Sequence, residues 1–97
     1  MKTQKEIEET LKKYKPSLRE RFKVKKMGVF GSCIRGEQKE GSDIDVLVEF
    51  EEPIGLLEFV SLERNLSEII GERVDLVMKT ALKPRIGRHI LQEVHYI

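Results

Sequence analysis

The sequence has one cysteine, no long apolar run, and no repeat or low-complexity segment. The single Cys33 excludes an internal disulfide and fits a reducing compartment, so we expect a cytoplasmic protein with a packed thiol at this position. No apolar stretch approaches the roughly 18 residues that a membrane span requires, and the N-terminal MKTQKEIEE lacks the apolar segment of a signal peptide. We therefore expect no association with a membrane.

The length and the charge distribution bound the possible partners. The 97 residues suffice for a single domain over residues 1–97, because a second hydrophobic core would not fit. The net charge of +1 conceals a basic run from Lys12 to Lys26 and an acidic stretch from Glu37 to Glu63. The basic run contains no known nucleic-acid-binding motif. We interpret it as a solvated face or a docking surface for an acidic partner rather than as a site that binds nucleic acid directly.

Apolar periodicity predicts alternating helices and strands. In chain order, we predict a helix over Lys5–Tyr14, a short helix from Pro16 to about Phe22, strands over Val24–Phe30 and from Asp43 to Phe50, a helix over Gly55–Ile70, a strand over Arg73–Met78, a helix starting at Lys83 and Pro84, and a short strand at His95–Ile97. Pro16 separates the first two helices because it has no N–H to donate. The buried side of the long helix is predicted to comprise Leu56, Phe59, Val60, Leu62, Leu66, Ile69 and Ile70.

The stretch from Gly31 to Phe50 contains the residues with the clearest chemistry. Asp43 and Asp45 project from the same face of a strand and lie about 7 Å apart along it. Two such carboxylates repel each other unless a cation lies between them, and oxygen donors suit Mg²⁺. The turn at Gly31 and Ser32 offers backbone N–H groups and a hydroxyl that can hold phosphate, although Ser32 can also cap a short helix over Cys33–Gly36. The stretch predicts a site for metal and phosphate together.

Three further polar residues are candidates for the same site. Arg35 can meet phosphate or clamp a carboxylate, and Ser42 can orient the two aspartates. Asp75 lies between apolar strand residues, where an unpaired carboxylate is costly to bury, and pairing with Arg73 or Lys79 is the alternative explanation. The two histidines, His89 and His95, are interpreted as structural or surface residues.

The Gly-Ser turn followed at this spacing by Asp-x-Asp resembles the nucleotidyltransferase fold of the DNA polymerase β superfamily. More closely, the segments FGSCIRGE, SDIDVLVEF, VDLV and ALKPRIGRHILQEVHYI resemble the minimal nucleotidyltransferases, which are the small antitoxin partners of HEPN-domain toxins. The resemblance covers essentially the full length and implies a single minimal nucleotidyltransferase domain over 1–97. It also implies an α/β (α+β) fold, with a small mixed sheet of three to four strands flanked by helices.

The resemblance further implies an activity and a role for each candidate. An enzyme of this kind transfers AMP from Mg-ATP to a hydroxyl, expected to be a tyrosine, of a HEPN ribonuclease toxin and so silences it. Asp43 and Asp45 would bridge two Mg²⁺ ions, and Asp75 would be the third ligand. Gly31 and Ser32 would hold the β- and γ-phosphates. Ser42 and Arg35 are assigned to nucleotide binding, although for Arg35 a structural tie within the site stays open.

Two other functions remain as alternatives. A non-catalytic relative could neutralise its toxin by complex formation alone, through the apolar and basic surfaces of its first helices. Transfer of a nucleotide to a small hydroxyl compound or to an RNA end is the third possibility, against which the lack of a second domain argues.

Overall fold

The computed structural model describes residues 2–36 and 43–97, in which helices pack on a four-stranded mixed sheet. The elements are α1 (Gln4–Phe22), β1 (Val24–Phe30), α2 (Ser32–Arg35), β2 (Ile44–Phe50), α3 (Leu56–Ile70), β3 (Val74–Met78), a 3₁₀ turn (Lys79–Ala81), α4 (Pro84–Glu93) and β4 (His95–Tyr96). The strand order is β3-β2-β1-β4; β1 runs antiparallel to both β2 and β4, while β2 and β3 are parallel. The predicted fold class is confirmed, and α3 is the crossover that the parallel pair requires.

The hydrophobic core lies between one face of the sheet and the helices α1 and α3. Alternate residues of β2, namely Ile44, Val46 and Val48, point into this core, as their spacing predicts. Asp43 and Asp45 consequently belong to the opposite face. In the described ranges, no helix is long and apolar enough to cross a membrane.

Helix α1 runs without interruption from Gln4 to Phe22, so the predicted boundary at Pro16 is wrong. A proline inside a helix lacks the N–H of one hydrogen bond and crowds the preceding turn, which costs about 3 kcal/mol. Leu11 and Leu18 lie on either side of Pro16, and both are buried in the same core. Burial of a leucine side chain contributes roughly 1.5–3 kcal/mol. Packing of both halves of α1 against one core therefore offsets the cost of the proline. The prediction of a boundary at Pro16 considered only that local cost.

Helix α3 buries a narrower face than its apolar residues suggest. Leu62, Leu66 and Ile70 are buried, but Leu56 and Val60 are 77% and 43% exposed, so their predicted burial is wrong. At 3.6 residues per turn, Leu56 and Val60 point roughly 80° and 120° away from the direction of Leu66. The predicted apolar side was therefore wider than one helix face can bury. Gly71 ends the helix in a left-handed conformation, as predicted.

Side chains of α3 also satisfy the outer edge of β3. The backbone N–H of Val74 donates to Ser67 Oγ at 3.0 Å, and that of Leu76 donates to Glu63 Oε2 at 2.9 Å. Glu63 is half-buried because of this contact. An edge strand otherwise presents unpaired donors. The two bonds flank Asp75 and fix the strand segment that carries it.

The C-terminal segment closes the other edge of the sheet. Helix α4 begins at Pro84, and β4 pairs with β1 as the predicted short strand. A Cβ at Gly28 would lie 2.7 Å from the carbonyl oxygen of His95, so the missing side chain of Gly28 lets the two backbones approach each other closely. This pairing places the end of α4 next to the turn that follows β1.

Candidate active site

The turn after β1 lies directly against Asp45 of β2. Phe30 and Asp45 are partners in the antiparallel β1–β2 ladder, so the next residue, Gly31, faces the start of β2. Gly31 has φ +78°, and a Cβ there would lie 2.1 Å from Asp45 Oδ2. Only glycine permits both the turn and the position of this carboxylate. The sharp turn predicted at Gly31 is confirmed.

The short helix α2 begins one residue earlier than predicted. Its N-cap is Gly31 rather than Ser32, and the carbonyl of Gly31 accepts the backbone N–H groups of Ile34 and Arg35 at 3.1 Å each. The prediction that Ser32 caps this helix is therefore wrong, because glycine adopts the cap conformation without a side chain. Ser32 is the first helical residue and leaves its hydroxyl outside the cap.

The three aspartates lie at one end of the parallel strand pair. Asp45 and Asp75 are register partners across β2 and β3, where neighbouring strands are about 4.8 Å apart. Asp43 precedes β2, two residues before Asp45, and its Oδ1 lies 3.9 Å from Arg73 Nε. Arg73 thus contacts Asp43, while Asp75 is exposed. The tertiary structure brings Asp45, Asp75 and the Gly31 turn together at one end of strands β1, β2 and β3.

Burial and mutual repulsion alter the titration of these carboxyl groups. Burial raises the pKa of Asp45 to about 6, and the negative charges of Asp75 and Asp43 act in the same direction. Arg35 opposes this shift by stabilising the ionised form of Asp45. The pKa of Asp75 is also raised, first by burial and then by Glu63 and Asp43. The site therefore holds more negative charge than its own cations balance.

Such a donor set fits a divalent metal ion. Carboxylate oxygens are the ligands that Mg²⁺ prefers, and an ion between Asp45 and Asp75 would relieve the repulsion that raises their pKa values. Among residues 2–36 and 43–97, no three acidic, histidine or cysteine side chains lie in a geometry that would ligate an ion. The carboxylates would thus have to rotate towards an ion to share it.

An acidic residue that the sequence analysis missed lies against the Gly31 turn. Glu93, the last residue of α4, accepts the Gly31 N–H at 2.7 Å and a hydrogen bond from Arg35 Nη1 at 3.0 Å through the same oxygen. This pair agrees with the alternative interpretation of Arg35, in which its guanidinium binds a carboxylate within the site and has a structural role. Glu93 lies three residues after Ile90 on a helix whose apolar spacing includes Ile86 and Ile90. An acidic residue at a helix position where the spacing predicts an apolar one could have indicated from the sequence that Glu93 has a polar partner.

These residues surround a cavity of about 290 Å³. Its lining comprises Phe30, Gly31, Arg35, Asp45, Ile86, His89, Ile90 and Glu93. His89, interpreted as a structural or surface residue, is exposed and forms part of this wall. The other histidine, His95, contacts Gln4 Nε2 through Nδ1 at 3.1 Å and so ties β4 to α1.

Ser42, assigned to nucleotide binding, lies outside the described residues. Cys33 is a buried free thiol in the core, and burial raises the pKa of its thiol. A buried thiol with a raised pKa is poorly reactive, which confirms the interpretation of Cys33 as a packing residue.

We expect the charge of Asp45 to destabilise the metal-free protein. Because the folded pKa of about 6 exceeds the ordinary aspartate value of 3.8, the native state loses stability as the pH rises through this window. Asp45→Asn removes the charge and should raise the free energy of unfolding at pH 7.5 by about 1–2 kcal/mol, after allowance for solvent screening of a half-buried group.

Urea unfolding in EDTA measures this difference. At pH 5, below the folded pKa of Asp45, the gain over the wild type should shrink. A variant that is less stable than the wild type at pH 7.5 would contradict the prediction.

Comparison with known proteins places this chain in a family. A family model described as a nucleotidyltransferase domain matches residues 11–97. Protein adenylyltransferase MntA of Thermococcus cleftensis is 54% identical over 97 residues, which cover 100% of this chain and 98% of that protein.

Two solved structures resemble the chain in fold. A structure provisionally named a minimal nucleotidyltransferase has a TM-score of 0.75 at 37% identity, covering 92% of this chain and 93% of that chain. One chain of the solved complex of a tri-AMPylated Shewanella oneidensis HEPN toxin with an MNT antitoxin has a TM-score of 0.69, covering 93% of this chain and 70% of that chain. At 19% identity, the second likeness concerns the fold alone. The match to the family model and the identity to MntA show that this chain belongs to the nucleotidyltransferase domain family and is an enzyme of the nucleotidyltransferase class.

Proposed function

We propose that this protein transfers AMP from Mg-ATP to a tyrosine hydroxyl of a partner HEPN toxin and thereby acts as its antitoxin in the cytoplasm. The observation that supports this most is the position of Asp45, which lies between the Gly31 turn and Asp75. A phosphate-binding turn and a cation-binding carboxylate pair in contact are what nucleotidyl transfer requires. The 54% identity to a protein adenylyltransferase supports AMP as the transferred group.

In this proposal each part of the site has one task. Donors of the Gly31–Ser32 turn hold the β- and γ-phosphates, so that the α-phosphorus faces the acceptor. Asp43, Asp45 and Asp75 would hold two Mg²⁺ ions, with Ser42 assigned to orient Asp43 and Asp45. When bound, the ions neutralise charge on the attacking and leaving oxygens.

The reaction forms one bond and breaks another at the α-phosphorus. The acceptor oxygen bonds to the α-phosphorus while the bond to the β-phosphate oxygen breaks, and pyrophosphate leaves with that electron pair. The hydroxyl proton goes to the carboxylate of Asp75, which acts as the general base. Asp75 is exposed, so a hydroxyl presented by another protein can reach it.

A second candidate function is neutralisation of the toxin by binding alone. Leu56 and Leu57 at the start of α3 are 77% and 84% exposed, and Val60 adds to the same surface. Exposed apolar side chains in proximity are typical of protein interfaces. In this reading the partner would be silenced by occlusion, without a covalent change.

Intact-mass spectrometry of the co-expressed toxin separates the two functions. The transferase reading predicts that the toxin gains the mass of one or more AMP groups when ATP and Mg²⁺ are supplied. Tandem mass spectrometry should locate them on tyrosine. A toxin that is fully neutralised in the complex but carries no added mass would favour the binding reading.

A further inference from the structure

The contact between Glu93 and the Gly31 turn bears on how tightly the nucleotide binds. We propose that Glu93 is an internal competitor of the nucleotide phosphates: its carboxylate occupies the two donors that an incoming phosphate would use, and its displacement sets the affinity for ATP. The inference rests on the proposed function, because it takes the Gly31–Ser32 turn as the phosphate-binding turn.

The hydrogen bonds show that the donors are already engaged by an anion. The Gly31 N–H lies 2.7 Å from Glu93 Oε1, and Arg35 Nη1 lies 3.0 Å and 3.2 Å from the two carboxylate oxygens. Such distances are typical of charge-assisted hydrogen bonds, which are stronger than those between neutral groups. A backbone N–H has one proton and cannot serve a carboxylate and a phosphate at full strength. The phosphate must therefore replace Glu93 at this donor.

Charge repulsion adds to this competition. Glu93 lines the same cavity as Asp45, where its negative charge acts to raise the pKa of that group. A triphosphate entering this cavity meets Glu93 as well as Asp45. Arg35 balances part of this charge and is itself held by Glu93. Release of Glu93 would thus transfer Arg35 to the phosphate while removing a repulsive contact.

The side chain can leave without unfolding its surroundings. Glu93 is the last residue of α4, and its side chain is 28% exposed in its pair with Arg35. The chain after Glu93 pairs with β1 through His95 and Tyr96, which anchors the backbone. A change of side-chain rotamer is therefore enough to free the Gly31 N–H.

Glu93→Gln is the variant that tests this competition. Glutamine has the same shape and keeps an acceptor for the Gly31 N–H, but it carries no charge. We expect the dissociation constant for ATP, measured by calorimetry in the presence of Mg²⁺, to fall about fivefold to tenfold. The matched control is Glu20→Gln, which removes the same charge from an exposed position of α1 and should leave the affinity unchanged.

The possible outcomes distinguish this inference from the proposed function. If the wild type binds ATP and Glu93→Gln binds it no more tightly, Glu93 is only a structural tie and the inference is wrong. If neither protein binds ATP, both the inference and the proposed function fail. Should Glu93→Gln fail to fold, a crystal structure of the wild type with bound ATP decides the matter. The inference requires the Glu93 carboxylate to have left the Gly31 N–H in that structure, and its retention there would refute it.

Discussion

Asp45→Asn is expected to reduce AMP transfer to the partner toxin by roughly 10³-fold, beyond the 10- to 100-fold effect of groups that only orient a ligand. Asparagine keeps the size of the side chain but removes the negative charge that, in the proposed function, would hold a cation beside the Gly31 turn. Asp43→Asn should have a similar effect, because the proposal requires the carboxylates of both Asp43 and Asp45 to hold two ions. The rate of AMP incorporation into the purified toxin, followed by mass spectrometry, measures both losses.

Glu49→Gln provides the matched control for this loss of charge. Glu49 lies on β2 four residues after Asp45 and pairs with Lys79 at 3.8 Å, away from the Gly31 turn. Its replacement should leave AMP transfer within about twofold of the wild type, because a surface ion pair contributes little. Wild-type transfer by Asp45→Asn would refute the proposed catalytic role. Loss of transfer with full neutralisation of the toxin would show that binding suffices.

Gly31→Ala is the second change for which we expect a large effect. The added Cβ would lie 2.1 Å from Asp45 Oδ2, so the carboxylate or the turn has to move. The combination of φ +78° and ψ −146° is also unfavourable for alanine, at a cost of roughly 1–3 kcal/mol. We expect AMP transfer to fall at least about 10²-fold, since displacement of catalytic groups by 1 Å can have that effect.

Gly36→Ala is the control for an alanine at a positive φ without a steric collision. Gly36 has φ +72°, close to that of Gly31, but a Cβ there would meet nothing within 4 Å. Gly36 has ψ 17° and is in the left-handed helical region, whereas Gly31 has ψ −146°, a conformation that is largely restricted to glycine, so Gly31→Ala should lose more stability in thermal unfolding. Only Gly31→Ala should lose activity out of proportion to its stability. Equal activity of the two variants would contradict the assigned contact between Gly31 and Asp45.

The local sequence pattern was sufficient to predict features that depend only on the residues next to them in the chain. Strand β1 has the predicted bounds of Val24 and Phe30, and the alternation of Ile44, Val46 and Val48 placed Asp43 and Asp45 on the face away from the core. The turn at Gly31 followed from glycine alone. The roles of the three aspartates, Ser32 and Arg35 in catalysis remain predictions that the variants above test.

Local pattern failed where long-range packing opposed a local preference. At Pro16 the shared core of both helix halves outweighed the missing hydrogen bond. Leu56 and Val60 are apolar but exposed, because α3 can pack only one of its sides against the sheet. Both errors come from reading each segment without the surface against which it packs.

The amino-acid sequence by itself determined the alternation of strands and helices, the glycine turn, and the presence of two acids on one strand face, because these depend on the chain within a few residues. Only the tertiary structure decided that Asp75 is the register partner of Asp45 and that Glu93 reaches the Gly31 N–H. Those contacts join residues 30 and 62 positions apart along the chain. Strand pairing and helix packing set them, and no local periodicity encodes the register of one element against another.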